Sequence, residues 1–158
     1  MVSTQDKLNV LSQLAAEFNR CNIVWAVGAS VLLYLEDYVE DFHDLDILVA
    51  DTDAGKMEPI LHRFGSLQPS DQGNFATKHF RKFTVADVEV DMIGGFAIIK
   101  DGQIYDCDLH PSQITGYAEV DGQNIPLHSI PLWRKYYSLM GRDAKVSVID
   151  RKSPASCV

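Results

Sequence analysis

Phe42-His43-Asp44-Leu45-Asp46-Ile47-Leu48-Val49 is the stretch on which the reading of this chain turns. Asp44 and Asp46, separated by one residue, run straight into an apolar segment. Side chains alternate between the faces of a β-strand, so Asp44 and Asp46 share one face while Leu45 and Ile47 share the other. Paired carboxylates at the start of a strand suit a hard divalent cation, because Mg²⁺ prefers oxygen ligands. A solvated strand start has the same residues, so the meaning of the pair depends on what flanks it.

Upstream, Ile23-Val24-Trp25-Ala26-Val27 ends at Gly28, the pattern of a short buried strand. Gly28-Ala29-Ser30 then opens a helical run through Val31-Leu32-Leu33-Tyr34-Leu35. A strand that turns into a helix through small residues leaves backbone N–H groups unpaired at the turn, where they favour an anion. A tight turn with a serine cap reads the same way. The Gly-Lys-Ser/Thr element of a Walker loop is missing.

Downstream, Asn74 to Val85 alternates as a strand, with Thr77, His79, Arg81 and Phe83 on one parity and Lys78, Phe80 and Lys82 on the other. Ala86-Asp87 turns the chain into a second strand, Val88 to Ile93, broken by Gly94-Gly95. Asp91 lies within this apolar segment, where a buried carboxylate needs a cation or a hydrogen-bond network.

The remaining elements are ordinary. Ser3 or Thr4 caps a first helix carrying Leu8, Leu11, Leu14, Ala15 and Phe18, and Asn22 ends it. Glu36 to Asp41 is an acidic connector. Asp51-Thr52-Asp53 caps a helix from Ala54 to Phe64, kinked at Pro59 or beginning near Glu58. Ser66 to Gly73 reads as loop. Hairpins are predicted around Asp101-Gly102 and Asp121-Gly122. Pro131 begins a helix that ends at Gly141, and one or two more turns follow to Asp150. This order predicts an α+β fold, a mixed sheet with helices packed on one face, extra hairpins and a short C-terminal helical segment. Residues 1–150 read as a single domain and Arg151 to Val158 as a disordered tail.

Composition narrows the function. A chain of 158 residues with 46% hydrophobic and 23% charged residues fits one globular domain with a sizeable core. No apolar stretch approaches the roughly 20 residues of a membrane span, and the N-terminus lacks a signal-peptide pattern. Cys21, Cys107 and Cys157 have no metal-type spacing and read as free thiols, so a cytoplasmic location is expected. A net charge of -8 argues against tracking along nucleic acid, whose affinity comes from neutralised phosphates. Small anions delivered with Mg²⁺ remain compatible with it.

Gly28-Ala29-Ser30, Asp44-Leu45-Asp46 and Asp91 within Val90-Asp91-Met92-Ile93, taken in order, resemble the DNA polymerase β-like nucleotidyltransferase superfamily. The similarity spans about residues 23 to 95 and points to small bacterial nucleotidyltransferases of the minimal and antibiotic-modifying types. It is weaker over Tyr137-Ser138-Leu139-Met140-Gly141-Arg142-Asp143-Ala144-Lys145. The resemblance implies transfer of a nucleoside monophosphate, AMP from ATP, to a hydroxyl of a small-molecule or protein acceptor, with release of pyrophosphate. It implies that Asp44, Asp46 and Asp91 are the catalytic carboxylates and hold two Mg²⁺ ions, and that Gly28 and Ser30 hold the β- and γ-phosphates. The alternative is a non-catalytic, antitoxin-like protein of the same fold that acts by binding a partner.

The departures are local. Ala29 stands where many relatives have a second glycine, and His43 where a small hydroxyl residue is common. Lys78, His79, Arg81, Lys135 and Arg142 are further phosphate-contact candidates, each equally a solvated charge. The short segment after Asn124 leaves little to hold an acceptor, so a homodimer or a helical partner protein is expected to complete the cleft.

Overall fold

Local chemistry places the element boundaries in the computed structural model, which describes residues 2–73 and 75–152. Helix α1 (Thr4–Arg20) begins at a capping box in which Ser3 and Asp6 satisfy each other's backbone N–H groups. Strand β1 (Trp25–Gly28) passes directly into α2 (Ala29–Leu35). Strand β2 (Leu45–Val49) is followed by a single turn at Asp51–Asp53 and by α3 (Ala54–Phe64), which runs through Pro59. Then come β3 (Ser66–Gln68), β4 (His79–Val85), β5 (Val88–Gly94), the hairpin β6 (Ala97–Lys100) and β7 (Gln103–Asp106), and the hairpin β8 (Gly116–Val120) and β9 (Gln123–Leu127). Helices α4 (Ile130–Leu139) and α5 (Asp143–Lys152) close the described chain. Among the described residues no helix is long and apolar enough to cross a membrane.

The mixed sheet has the order β3-β4-β5-β2-β1-β9-β8. β2 pairs parallel with β5, and β1 pairs parallel with β9; the remaining pairs are antiparallel. The turns between paired strands carry the left-handed residues that tight hairpins require: Ala86 and Asp87, Asp101 and Gly102, Asp121 and Gly122. Leu45, Ile47, Val90 and Met92 line one face of the central strands and are fully buried. Helix α3 packs on that face, where Ala54 lies against Gly94, and α1 packs beside α3. Helix α4 approaches the other face at Gly28, where a side chain would run into the Trp133 indole and Leu48.

Three departures from the sequence reading have physical causes. Ser66 to Gln68, read as loop, forms an edge strand whose side chains are all exposed, so hydrophobic periodicity could not mark it. The predicted strand from Asn74 is shorter and begins at His79. Gly95 has φ of 63° and ends β5, so residues before His79 lose that partner and bond to the β6 region instead, through Phe75–Ile98 and the Ala76 N–H to the Ala97 carbonyl. Arg151 and Lys152, assigned to the tail, belong to α5 because Lys152 Nζ donates to the Glu36 and Asp37 carbonyls at 2.8 and 2.6 Å. The rest of the predicted tail, including Cys157, lies outside the described residues.

Gly28 and Ala29 make opposite stability predictions. Ala29 has φ of 52°, a left-handed conformation that a Cβ disfavours. Ala29→Gly is expected to stabilise the fold by roughly 0.5–1 kcal/mol, and Gly28→Ala to destabilise it by about 1–3 kcal/mol through collision with Trp133. Urea denaturation of both variants measures each effect.

His128 supplies a pH prediction. It is fully buried, its Nδ1 accepts the Ser129 N–H at 2.7 Å, and burial pulls its pKa from 6.5 to about 4. The unfolded chain therefore binds a proton below pH 6.5 that the folded chain refuses until about pH 4, so stability falls as the pH drops through this window. The loss is on the order of 3 kcal/mol. His128→Asn is expected to flatten the dependence of Tm on pH across the same range.

Candidate active site

Register builds the site. Gly28 on β1 opposes Asp46 on β2, Asp46 opposes Asp91 on β5, and Asp91 opposes Lys82 on β4. Directly opposed residues share a face, so Gly28, Asp46, Asp91 and Lys82 form one row across these strands, opposite the apolar face covered by α1 and α3. The predicted alternation of β2 and β5 places both aspartates as expected. Asp91 is 7% exposed, and Lys82 Nζ lies 3.2 and 3.4 Å from its two carboxylate oxygens. Burial works against the Lys82 ammonium, but the charge and hydrogen bond of Asp91, together with the Asp44 and Glu89 charges, outweigh it and raise the Lys82 pKa.

Asp44 stands just before β2 and turns toward His43 and Glu89. His43 Nε2 lies 3.4 Å from Asp44 Oδ1 and 2.9 Å from Glu89 Oε2. Among the described residues this is the one group of three metal-type donors whose ligand atoms all fall within 4.8 Å of each other. Asp44 Oδ1 is buried and closes no hydrogen bond. His43 is thus engaged by carboxylates on its own side of the site.

The three aspartates share an electrostatic burden. Burial pushes the Asp46 carboxyl well above its ordinary range, and the Asp91 and Asp44 charges push it further. Asp44 is raised by burial and then by Asp91. Asp91 is raised by burial, with Lys82 offsetting part of the rise. Asp44, Asp46 and Asp91 offer only oxygen donors, an orphaned buried acceptor and excess negative charge, each of which fits a hard divalent cation. Their ligand atoms do not, however, form a group within 4.8 Å of one another; among the described residues only His43, Asp44 and Glu89 do.

Cations approach from α5. Lys145 Nζ donates to Ser30 Oγ at 3.3 Å, and burial followed by the neighbouring Arg142 charge lowers the Lys145 pKa. The Arg142 guanidinium lies 5.7 Å from the Tyr137 ring centroid and exerts a favourable field on Asp46. The Tyr137 hydroxyl faces Asp46 and Ser30 but closes a hydrogen bond with neither; burial and then the Asp46 charge raise its pKa and keep it protonated. A cleft of about 200 Å³ opens beside Asp46 and Asp91, walled by Phe75, Phe80, Phe96 and Trp133.

The other sequence candidates are engaged elsewhere. Lys78 Nζ and His79 Nε2 bind Asp51 at 3.0 and 2.7 Å. Arg81 Nε faces Glu58 at 3.4 Å. Lys135 is exposed on α4. Sequence reasoning missed Lys82 and Lys145 as site residues. Lys82 was findable, since a residue paired with Asp91 across the Ala86-Asp87 turn must share its face. Lys145 depended on how α5 returns to Ser30, which no local pattern encodes.

The fold matches solved structures of nucleotidyltransferases. A candidate nucleotidyltransferase from Thermotoga maritima superposes with a TM-score of 0.74 at 22% identity, covering 96% of this chain and 94% of that one. The antibiotic-resistance factor ANT(2'')-Ia, in complex with adenylyl-2''-tobramycin, gives 0.58 at 13% identity over 83% of this chain and 76% of that one. The lincosamide antibiotic adenylyltransferase LnuA, with lincomycin bound, gives 0.58 at 10% identity over 86% of each chain. No protein-family model and no curated protein matches the sequence. The chain therefore has the nucleotidyltransferase fold, the mixed-sheet class read from its sequence.

The crowded carboxylates predict a stabilising loss of charge. A raised carboxyl pKa means that the folded state holds its proton more tightly than the unfolded chain. Stability from Asp46 therefore falls as the pH rises from the ordinary carboxylate range through the raised value. Without added divalent cation, Asp46→Asn is expected to stabilise the protein at pH 7 by on the order of 1 kcal/mol, with the gain shrinking toward pH 4. Thermal melts against pH, with and without MgCl₂, test this; the variant should also lose any Mg²⁺-dependent rise in Tm.

Proposed function

We propose that this chain is a Mg²⁺-dependent nucleotidyltransferase that transfers AMP from ATP to a hydroxyl of a small-molecule or protein acceptor and releases pyrophosphate. The observation that carries the proposal is the opposition of Asp46 and Asp91 on the sheet face that also bears Gly28, beside an open cleft. Asp44, Asp46 and Asp91 would hold Mg²⁺, which when bound stabilises charge on the attacking and leaving oxygens.

The remaining work falls to the chain's own groups. Ser30, the backbone at the Gly28 turn and Lys145 receive the β- and γ-phosphates. The protonated Tyr137 hydroxyl is poised to donate to a phosphoryl oxygen near Asp46. The acceptor oxygen forms a bond to the α-phosphorus as the bond to the bridging oxygen breaks, and pyrophosphate leaves with that electron pair. The acceptor proton passes to the Asp91 carboxylate and on to solvent. Positioning and charge neutralisation dominate such chemistry, so no serine or cysteine nucleophile is needed.

Titration calorimetry with ATP and MgCl₂, followed by screening of acceptors with α-labelled ATP, tests the proposal. Wild-type protein is expected to bind Mg·ATP and release pyrophosphate, and Asp46→Asn to lose turnover by at least roughly 100-fold. Absence of heat with nucleotide or metal, together with no effect of Asp46→Asn, would leave the partner-binding alternative.

A further inference from the structure

We propose that His43, Asp44 and Glu89 form a separate cation site that takes a borderline transition-metal ion such as Zn²⁺ in preference to Mg²⁺, and that its occupancy draws Asp44 away from Asp46 and Asp91. The site stands on its own geometry, and only its antagonism to Mg²⁺ rests on the nucleotidyltransferase reading. The backbone brings the two carboxylates together. Asp44 and Glu89 each come one residue before the first pair of β2 and β5, Leu45 with Val90, so they leave neighbouring strands side by side. His43 precedes Asp44 and holds its imidazole within reach of both.

The spacing suits ligands around one ion. Ligands roughly 2.0–2.2 Å from a tetrahedral ion stand roughly 3.3–3.6 Å apart. His43 Nε2 lies 3.4 Å from Asp44 Oδ1, inside that range. It lies 2.9 Å from Glu89 Oε2, and the His43 and Glu89 side chains are 86% and 53% exposed, which leaves room for that separation to open. Asp44 Oδ1 adds an independent sign. It is buried and closes no hydrogen bond, so the nearby imidazole does not satisfy it, whereas an ion between the two would. The Lys82 ammonium is held at Asp91, 3.2 Å away, and does not fill this role.

The donor set selects the metal. One imidazole nitrogen and two carboxylate oxygens suit Zn²⁺, whereas Mg²⁺ takes oxygen ligands and keeps several of its waters. Mixed nitrogen and oxygen sites also bind Zn²⁺ more tightly than Mn²⁺. Three protein ligands leave one tetrahedral position to water. Asp46 and Asp91 lie outside this cluster, which shares only Asp44 with the all-oxygen set. A carboxylate engaged with His43 and Glu89 is withdrawn from an ion beside Asp46, so Zn²⁺ here opposes Mg²⁺ there.

Imidazole NMR of the intact chain tests the proposal, with ZnCl₂ or MgCl₂ as the added ion and the buried His128 as reporter of an intact core. The expected result is a saturable shift of the His43 resonance by Zn²⁺ at concentrations at least roughly tenfold below those at which Mg²⁺ moves it. Glu89→Gln is expected to weaken this Zn²⁺ binding by roughly tenfold or more while His128 stays unmoved. Competition with a chromophoric chelator reads the affinity of His43→Ala, where a similar loss is expected. Zn²⁺ that shifts other histidines but not His43, wild-type affinity in both variants, or an equal response to Mg²⁺ would overturn the site. Saturating Zn²⁺ is also expected to weaken Mg²⁺-supported binding of a non-hydrolysable ATP analogue by roughly tenfold in the wild-type protein and not in His43→Ala. An equal effect in both would overturn the antagonism. An analogue that fails to bind with Mg²⁺ alone would count against nucleotidyl transfer instead, since the His43 resonance reads the Zn²⁺ site separately.

Discussion

The parallel pairing of β2 with β5 is the constraint on which the rest of the molecule depends. It sets Asp46 opposite Asp91, and a slip of one residue would carry one of them into the apolar layer under α1 and α3. The register is held from the other side of the sheet. Leu45, Ile47, Val90 and Met92 are fully buried there, and any shift would expose them and bury charge in exchange. Core packing on one face therefore fixes the acid geometry on the other. The acids themselves work against the fold, as the upward displacement of all three carboxyl pKa values shows.

Gly28 couples this row to the helices. With no side chain, it lets the Trp133 indole lie against the end of β1. Trp133 anchors α4, and α5 follows after the left-handed Gly141. That path returns Arg142 and Lys145 toward Asp46 and Ser30. The glycine is thus required for packing. Ala29, beside it, keeps the left-handed turn that leads into α2 despite its Cβ. Lys82 balances the other end of the row, so positive charge flanks the carboxylates from both sides.

Much of this was legible in the sequence because short-range rules govern it. The alternation in Leu45-Asp46-Ile47-Leu48-Val49 and in Val88 to Ile93 gave both acid-bearing strands and the face of each acid. The Asp-Gly pairs gave the hairpins, and Pro131 stands in the first turn of α4 as the helix-start rules require. Illegible features depend on partners distant in the chain. Lys78, Arg81 and Lys82 are chemically alike in sequence, yet Asp51 and Glu58 hold the first two while Asp91 holds the third. The parallel contact of β1 with β9 joins segments about a hundred residues apart and follows from no local pattern. The aromatic cleft is assembled from Phe75, Phe80, Phe96 and Trp133, which read one at a time as ordinary core residues.

On the proposed reading, the charge distribution decides which form of a nucleotide the site admits. The chain carries a net charge of -8, and its central row adds carboxylates to a half-buried surface. Lys145 offsets this at Ser30 and Arg142 through its field on Asp46, and screening confines their reach to about 8 Å at physiological ionic strength. A free triphosphate would meet repulsion from Asp44, Asp46 and Asp91 before it met either cation. Its Mg²⁺ complex carries less negative charge and brings the ion that the carboxylates need. On the proposed reading, metal and nucleotide therefore bind cooperatively, because each cancels the charge that opposes the other. On that reading a polyanionic acceptor is disfavoured too, because Lys82 is already paired with Asp91.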